Sequence, residues 1–252
     1  MAENPQFKSV REDWDRALVV VAHPDDMEFG SAAAVARWTD QGKQVTYCLV
    51  TSGEAGIDSM DPAECRGVRE AEQRESCRVV GVSEVEFLGL PDGVLEYGVG
   101  LRREIAAAIR RHRPEIVITN NFHDTWDGAI MLNQADHIAT GKATLDAARD
   151  AANRWVFREL LDAGLEPWSG VVEVWAASSP GSRHVADTTE TFDRGVESLR
   201  AHQAYIDGLG WQDFDPAEFL EGAAREVGQR LGVAFAAGFE VFPLKWGSAE
   251  DD

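Results

Sequence analysis

The sequence predicts an α/β fold, a three-layer sandwich in which a mostly parallel central sheet carries helices on both faces. Three observations predict it. Short apolar runs recur along the first half of the chain, turn residues follow each of them, and each turn leads into a stretch with helical periodicity. Runs of β-branched and apolar residues without polar alternation mark strands covered on both sides, which belong to parallel sheets. Strand and helix in alternation give the βαβ rhythm.

Taken in order, the runs are ALVVVA (17–22), QVTYCLV (44–50), VEFLGL (85–90) and EIVITN (115–120), with helical stretches at about 28–40, 66–80, 101–113 and 136–151. A fifth strand is expected at GVVEVWAA (170–177). A helix should then run from about 188 to 207, with Phe192, Val196, Leu199 and Ile206 on one face and Asp187 and Glu190 as its N-cap and N3 residues. Asp215, Pro216 and Glu218 open a last helix with a cap, a first-turn proline and a capping-box glutamate. VAFAAGFEVF (233–242) reads as an edge strand, and residues 247–252 as a loose acidic tail. No repeat, low-complexity tract or linker divides the chain, so residues 1–252 are expected to form a single domain.

The balance of 44 acidic against 24 basic side chains gives a formal net charge of −20. Such a surface repels phosphates and anionic headgroups, which argues against nucleic acid and membrane surfaces as partners. The one basic stretch, Arg102 to Arg113, is diluted by Glu104 and has the spacing of a solvated helix face. Cys48, Cys65 and Cys77 are odd in number and form no CxxC pair, so neither a disulfide framework nor a zinc knuckle is expected. No basic segment leads into an apolar run near the start, and the expectation is a soluble, reduced, cytoplasmic protein.

In a Rossmann-like sheet the ligand crevice lies beyond the carboxyl ends of the strands. The first strand exits into His23-Pro24-Asp25-Asp26, the second into Thr51-Ser52-Gly53-Glu54, the third toward Pro91-Asp92-Gly93, and the fourth into Asn120-Asn121-Phe122-His123-Asp124. A histidine followed three residues later by an aspartate at such an exit offers one ion an imidazole nitrogen and a carboxylate oxygen, a mixed set that zinc accepts. The competing reading makes Asp25 and Asp26 mere helix caps. Asp136-His137, opening a helix after the long 120–135 loop, supplies the best candidate for a third ligand.

HPDD after the first strand and DH opening the helix after the fourth resemble the PIG-L/LmbE family of zinc-dependent N-acetylsugar deacetylases. The likeness extends to Thr51-Ser52-Gly53-Glu54, Arg69 with Glu72, Phe87-Leu88-Gly89, Asp92-Gly93, Asn133, and Glu240 with Phe242. It implies that His23, Asp26 and His137 bind one zinc ion per chain, that Asp25 is the general base, and that Asp136 orients a metal-site imidazole. A His₂Asp set accepts other divalent metals as well. Arg69 and Asp92 match positions that hold sugar hydroxyls in the family. Gln134 stands where several members carry a histidine three residues before the ligand. Gln134 itself, His123 or His184 is then expected to assist at the carbonyl oxygen, with His184 preferred because it follows the fifth strand through Ser178-Ser179-Pro180-Gly181. Trp126 offers a face for a sugar or an aromatic group, and His202 reads as a hydrogen-bonded core histidine.

The resemblance thus implies a hydrolase that removes an N-acetyl or other N-acyl group from a small-molecule amino sugar or glycoside. One alternative is an amidase acting on a thiol–sugar conjugate. Another is a non-catalytic metal- or sugar-binding module, against which Asp25 argues, since a binder has no use for an unligated carboxylate beside the metal. The aromatic, glycine-rich 205–242 stretch is a candidate surface for self-association into a homo-oligomer.

Overall fold

The four apolar runs become neighbours in one half of an eight-stranded sheet in the computed structural model, which describes residues 7–126 and 128–244. The strands are β1 (Lys8–Ser9), β2 (Arg16–Val21), β3 (Gln44–Leu49), β4 (Glu84–Phe87), β5 (Ile116–Asn120), β6 (Glu173–Ala177), β7 (His184–Asp187) and β8 (Ala236–Pro243). Their order is β1-β7-β8-β6-β5-β2-β3-β4. Pairing is parallel everywhere except along β8, which runs antiparallel to both β6 and β7. The α/β three-layer expectation therefore holds.

Two-sided burial explains the unbroken apolar runs. Along β2, Ala17, Val19 and Val21 enter one core while Leu18 and Val20 enter the other. The first core lies under α1 (Ala32–Asp40) and is filled by Trp14, Trp38, Trp175 and Phe239, whose rings meet at centroid distances of 5.5–6.2 Å. The second lies under α3 (Val99–His112) and α4 (Ala135–Ala152), which are rich in alanine and so approach the sheet closely. The remaining helices are α2 (Pro62–Val79), the single turn α5 (Glu159–Asp162), α6 (Phe192–Arg200), α7 (Gln203–Gly208) and α8 (Pro216–Gln229). Asp61 and Asp215 cap α2 and α8 by accepting from Ala63 N and Ala217 N, each with a proline in the first turn.

Several expectations are corrected. The 233–242 segment is an interior strand, because the unanticipated β7 pairs with its outer side. The single helix expected over 188–207 is broken at His202 into α6 and α7; Leu199 and Ile206 still share one small core, so the apolar phase survives the break. Asp187 ends β7 and accepts from Thr189 N, while Thr191 occupies the N-cap position of α6 but spends its hydroxyl on Ala33 O rather than on a capping bond. The first helix begins at Ala32, after turns over 24–31. Arg110 of the basic stretch is buried, its guanidinium donating to the carbonyl of Ala151 in the last turn of α4 and to those of Asn153 and Val156 just beyond it. The acidic tail at 247–252 lies outside the described residues. Among those described, no helix is long and apolar enough to cross a membrane.

Candidate metal centre

The connection after β2 leads to β3 on one side, and that after β4 returns to β5 on the other, so the strand order reverses between β2 and β5. The crevice at such a switch point is where open α/β sheets bind ligands. His23 to Asp26 leave the end of β2 beside Asn120 at the end of β5, and α4 brings Asp136 and His137 over the same rim.

The atoms gathered there form a mismatch that one positive charge resolves. His137 Nδ1 lies 2.9 Å from Asn133 Oδ1, and Asn133 Nδ2 donates to the carbonyls of Asn121 and His123. The asparagine oxygen is thereby fixed as an acceptor, which puts the His137 proton on Nδ1 and a lone pair on Nε2. His23 Nε2 faces Asp92 Oδ1 at 3.0 Å and Asp136 Oδ2 at 3.3 Å, so it carries a proton and leaves Nδ1 to face the other way. His23 Nδ1 and His137 Nε2 are 3.1 Å apart, and Asp26 Oδ1 stands 2.9 Å from His137 Nε2 and 3.7 Å from His23 Nδ1. Two imidazole lone pairs and a carboxylate oxygen converging in a buried place call for a proton or a cation between them. This donor set fits a divalent metal.

A second cluster, His23 with Asp92 and Asp136, uses the opposite ring nitrogen. Its carboxylates are already engaged. Asp136 accepts from Gly93 N and Leu95 N, and Asp92 accepts from Ala55 N. Both aspartates therefore face His23 Nε2 with carboxylates that already accept backbone N–H groups.

Electrostatics follow from burial. The carboxylates around His23 outweigh the desolvation that would lower its pKa, chiefly Asp136 and then Asp26, and lift the imidazole well above its ordinary value. Burial would raise the Asp26 carboxyl, but the His137 and His23 imidazoles overcome this and hold it far below the usual range. Asp25 behaves oppositely. Burial pushes its carboxyl well above the usual range; the Arg69 guanidinium opposes this and the Asp26 charge adds to it.

The other expected site residues divide into those facing the cavity and those elsewhere. A cavity of about 1070 Å³ opens over the centre, with His23, Asp25, Asp26, His137, Trp126 and Gln134 in its wall. The Trp126 ring meets His137 edge-on at 5.5 Å. Gln134 begins α4 with no capping bond from its side chain. Arg69 is 1% exposed and clamps the Pro24-Asp25 turn, donating to Pro24 O (2.6 Å) and Asp25 Oδ2 (3.0 Å) while its guanidinium lies 3.7 Å over the Tyr205 ring. Arg69 and Asp92, which the sequence expected to meet sugar hydroxyls, both line the cavity; each also turns polar atoms to the first strand exit, Arg69 to Asp25 and Asp92 to His23.

His123 pairs with Glu240 at 2.7 Å, and Ser179 Oγ donates to the same carboxylate oxygen; His123 is not among the residues of the cavity wall. Neither is His184. It opens β7, in register with Lys8 and Phe239, and its charged neighbours are Glu173 and Lys8 rather than the carboxylates of the centre. The sequence offered no strand between the fifth one at 170–177 and the helix expected from about 188. Ladder pairing on both sides instead fixes His184 within the sheet.

Residues that sequence reasoning missed include Gln73, Glu28 and Tyr205. Gln73 on α2 accepts from Asp25 N and donates to Glu28, and Tyr205 on α7 lies against the Arg69 guanidinium, so Gln73 and Tyr205 come from helices far from the Asp25 turn in sequence. His202 is fully buried, as expected of a core histidine, but both ring nitrogens lack hydrogen-bond partners, and Glu28 Oε2, also unpartnered, lies 3.9 Å away.

Comparison with known proteins adds three findings. Residues 18–148 match the family model PIG-L, described as GlcNAc-PI de-N-acetylase. The chain is 26% identical over 243 residues to the diacetylchitobiose deacetylase of Thermococcus kodakarensis, covering 95% of this chain and 86% of that protein. It superposes on the N,N'-diacetylchitobiose deacetylase of Pyrococcus horikoshii, solved with its inhibitor MPG, with a TM-score of 0.82 at 24% identity, over 96% of this chain and 87% of the other.

Proposed function

Because the chain belongs to the PIG-L family, whose model spans just over half of it, we propose that it is a metal-dependent hydrolase removing the N-acetyl group of an N-acetylated amino sugar or its glycoside. One observation carries this reading. Two imidazole nitrogens and one carboxylate oxygen converge with no proton assigned between them, and a second carboxylate, Asp25, stands beside them in the cavity wall and is not part of the donor set.

His23 Nδ1, His137 Nε2 and Asp26 would hold the ion, zinc being the expected metal. A divalent cation in such a place lowers the pKa of water and polarises a carbonyl. The remaining chemistry belongs to the chain. Asp25 accepts a proton from the water that attacks the acetyl carbon, then returns it to the nitrogen as the C–N bond breaks, releasing acetate and the free amine. Arg69 keeps the Asp25 carboxylate aimed across the cavity, and burial raises its proton affinity toward that of a useful base. Gln134 supplies a neutral donor near the carbonyl oxygen, and Trp126 a wall for the sugar face.

The cavity volume lies just above the ~300–1,000 Å³ typical of ligand sites, which favours a glycoside over a free monosaccharide. Beyond Asp25 the wall is Phe29, Tyr205, Trp211 and Phe219, an aromatic side suited to the group attached to the sugar. Zinc-loaded protein should release acetate from a panel of N-acetylglucosamine glycosides. Asp25→Ala should keep its zinc and lose turnover by about 10²–10⁴-fold. Acetate release undiminished in that variant, or absent from every N-acylated sugar with wild type, would end this reading.

A further inference from the structure

Asp25 has a backbone φ of +83°, a region that residues with a Cβ seldom enter. Successive side chains of an extended chain diverge to opposite sides, yet Asp25 and Asp26 both face the cavity. The left-handed turn at Asp25 is what allows it. A conformation of this kind persists only where surrounding groups over-determine it.

Those groups are identifiable. Glu28 N and Phe29 N donate to Asp25 O at 2.8 and 3.1 Å, and these bonds close the turn from within. From outside, the Asp25 N–H donates to Gln73 Oε1 at 2.9 Å. Gln73 is fully buried on α2, and its amide cannot be reversed. Its Nε2 donates to Glu28 Oε1 at 3.0 Å, and that oxygen also accepts from Ser76 Oγ at 2.7 Å. Ser76 is in turn 2.7 Å from Ser198 Oγ on α6. A chain of buried hydrogen bonds therefore runs from α6 through α2 to the peptide of the base.

We propose that Gln73 is a positioning residue for Asp25: its side-chain oxygen holds the strained peptide so that the carboxylate points into the cavity beside the ligand set. The inference rests on the general-base reading of Asp25. Removing the acceptor leaves the Asp25 N–H buried and unpaired, and the peptide rotates to recover a partner. The base then moves while His23, His137 and Asp26, anchored by Asp136, Asn133 and the backbone N–H of His23, stay in place.

The test compares Gln73→Leu with the exchange variant Gln73→Glu/Glu28→Gln, which keeps an acceptor for Asp25 N–H and reverses the polarity of the second bond. In Gln73→Leu, kcat should fall about 10²-fold, the scale of a misplaced catalytic group. KM and zinc affinity, measured by chelator competition, should not change. The exchange variant should regain most of the lost kcat. A crystal structure of zinc-loaded Gln73→Leu should show Asp25 out of the positive-φ region. Wild-type kcat in Gln73→Leu, an Asp25 that keeps its conformation there, or a parallel loss of kcat and zinc affinity in both variants would overturn the proposal. Wild-type protein that hydrolyses no N-acylated sugar would instead overturn the functional reading, and the Asp25 conformation in Gln73→Leu would still decide the positioning role.

Discussion

At the scale of single residues, identity and location could be read from sequence at the strand exits, while partners could not. His23 and Asp26 follow a strand whose burial is written in its composition, so their place on the rim was legible. Arg69 and Asp92 were also brought to the cavity, but their partners, Asp25 and His23, depend on contacts that span 44 and 69 positions of chain. His202 shows what such contacts cost. Burial drives its imidazole down to about 3 from the ordinary 6.5, with Arg69 adding to the shift, and drives the facing Glu28 carboxyl up to about 7. The signs differ. Neutral His202 stabilises the fold above pH 6.5, and this contribution is lost as pH falls toward 3, because the unfolded chain takes up the proton first. The Glu28 contribution is full below 4.5 and is lost as pH rises through 7. Thermal melts of wild type and His202→Gln from pH 7 to pH 4 should show wild type losing ground to the variant as pH drops. A gap that stays constant or widens in favour of wild type would contradict the assignment.

At the scale of elements, the strands and most helices follow from local pattern, and the failures occur where pairing partners decide. β7 is four residues long and half of them are polar, so no local signal separates it from a loop; it exists because β1 and β8 supply its ladders. The approach of α4 to the rim has a clearer local trace. Gly141 sits in the middle of that helix, where glycine costs about 1 kcal/mol relative to alanine. A Cβ there would fall 2.4 Å from Phe122 Cβ and 2.9 Å from two of its ring atoms. The glycine lets α4 lie against the segment leaving β5 and so carries His137, one turn earlier, over His23 and Asp26. Gly141→Ala should destabilise the protein by about 1–3 kcal/mol, the range of an overpacked core, despite its gain in helix propensity. It should also weaken zinc binding. Denaturant melts and chelator competition check the two effects, and a variant as stable as wild type would show that the helix can shift without loss.

At the scale of the whole molecule, the reversal of strand order between β2 and β5 creates the crevice, and the candidate donor set joins the end of β2 to the start of α4. A metal held there ties two βαβ halves together, so it should stabilise the fold as a whole. With free zinc at one hundred times Kd, the melting temperature should rise by roughly 5–10 °C. The rise should vanish in His137→Ala and on chelation, and a shift that persists in that variant would place the stabilising zinc elsewhere.

The sequence by itself determined the layered α/β architecture, the apolar strands at its centre, the strand-exit positions of His23, Asp25 and Asp26, and the family to which the chain belongs. These rest on local composition and on short motifs, which act within a few residues. The tertiary structure alone decided that β8 is interior, that His184 is held within the sheet, that Arg69 and Gln73 hydrogen-bond the Pro24-Asp25 turn, and that Asp92 faces His23. Each of these depends on which distant segments share a buried hydrogen bond, and a linear pattern carries no record of that choice.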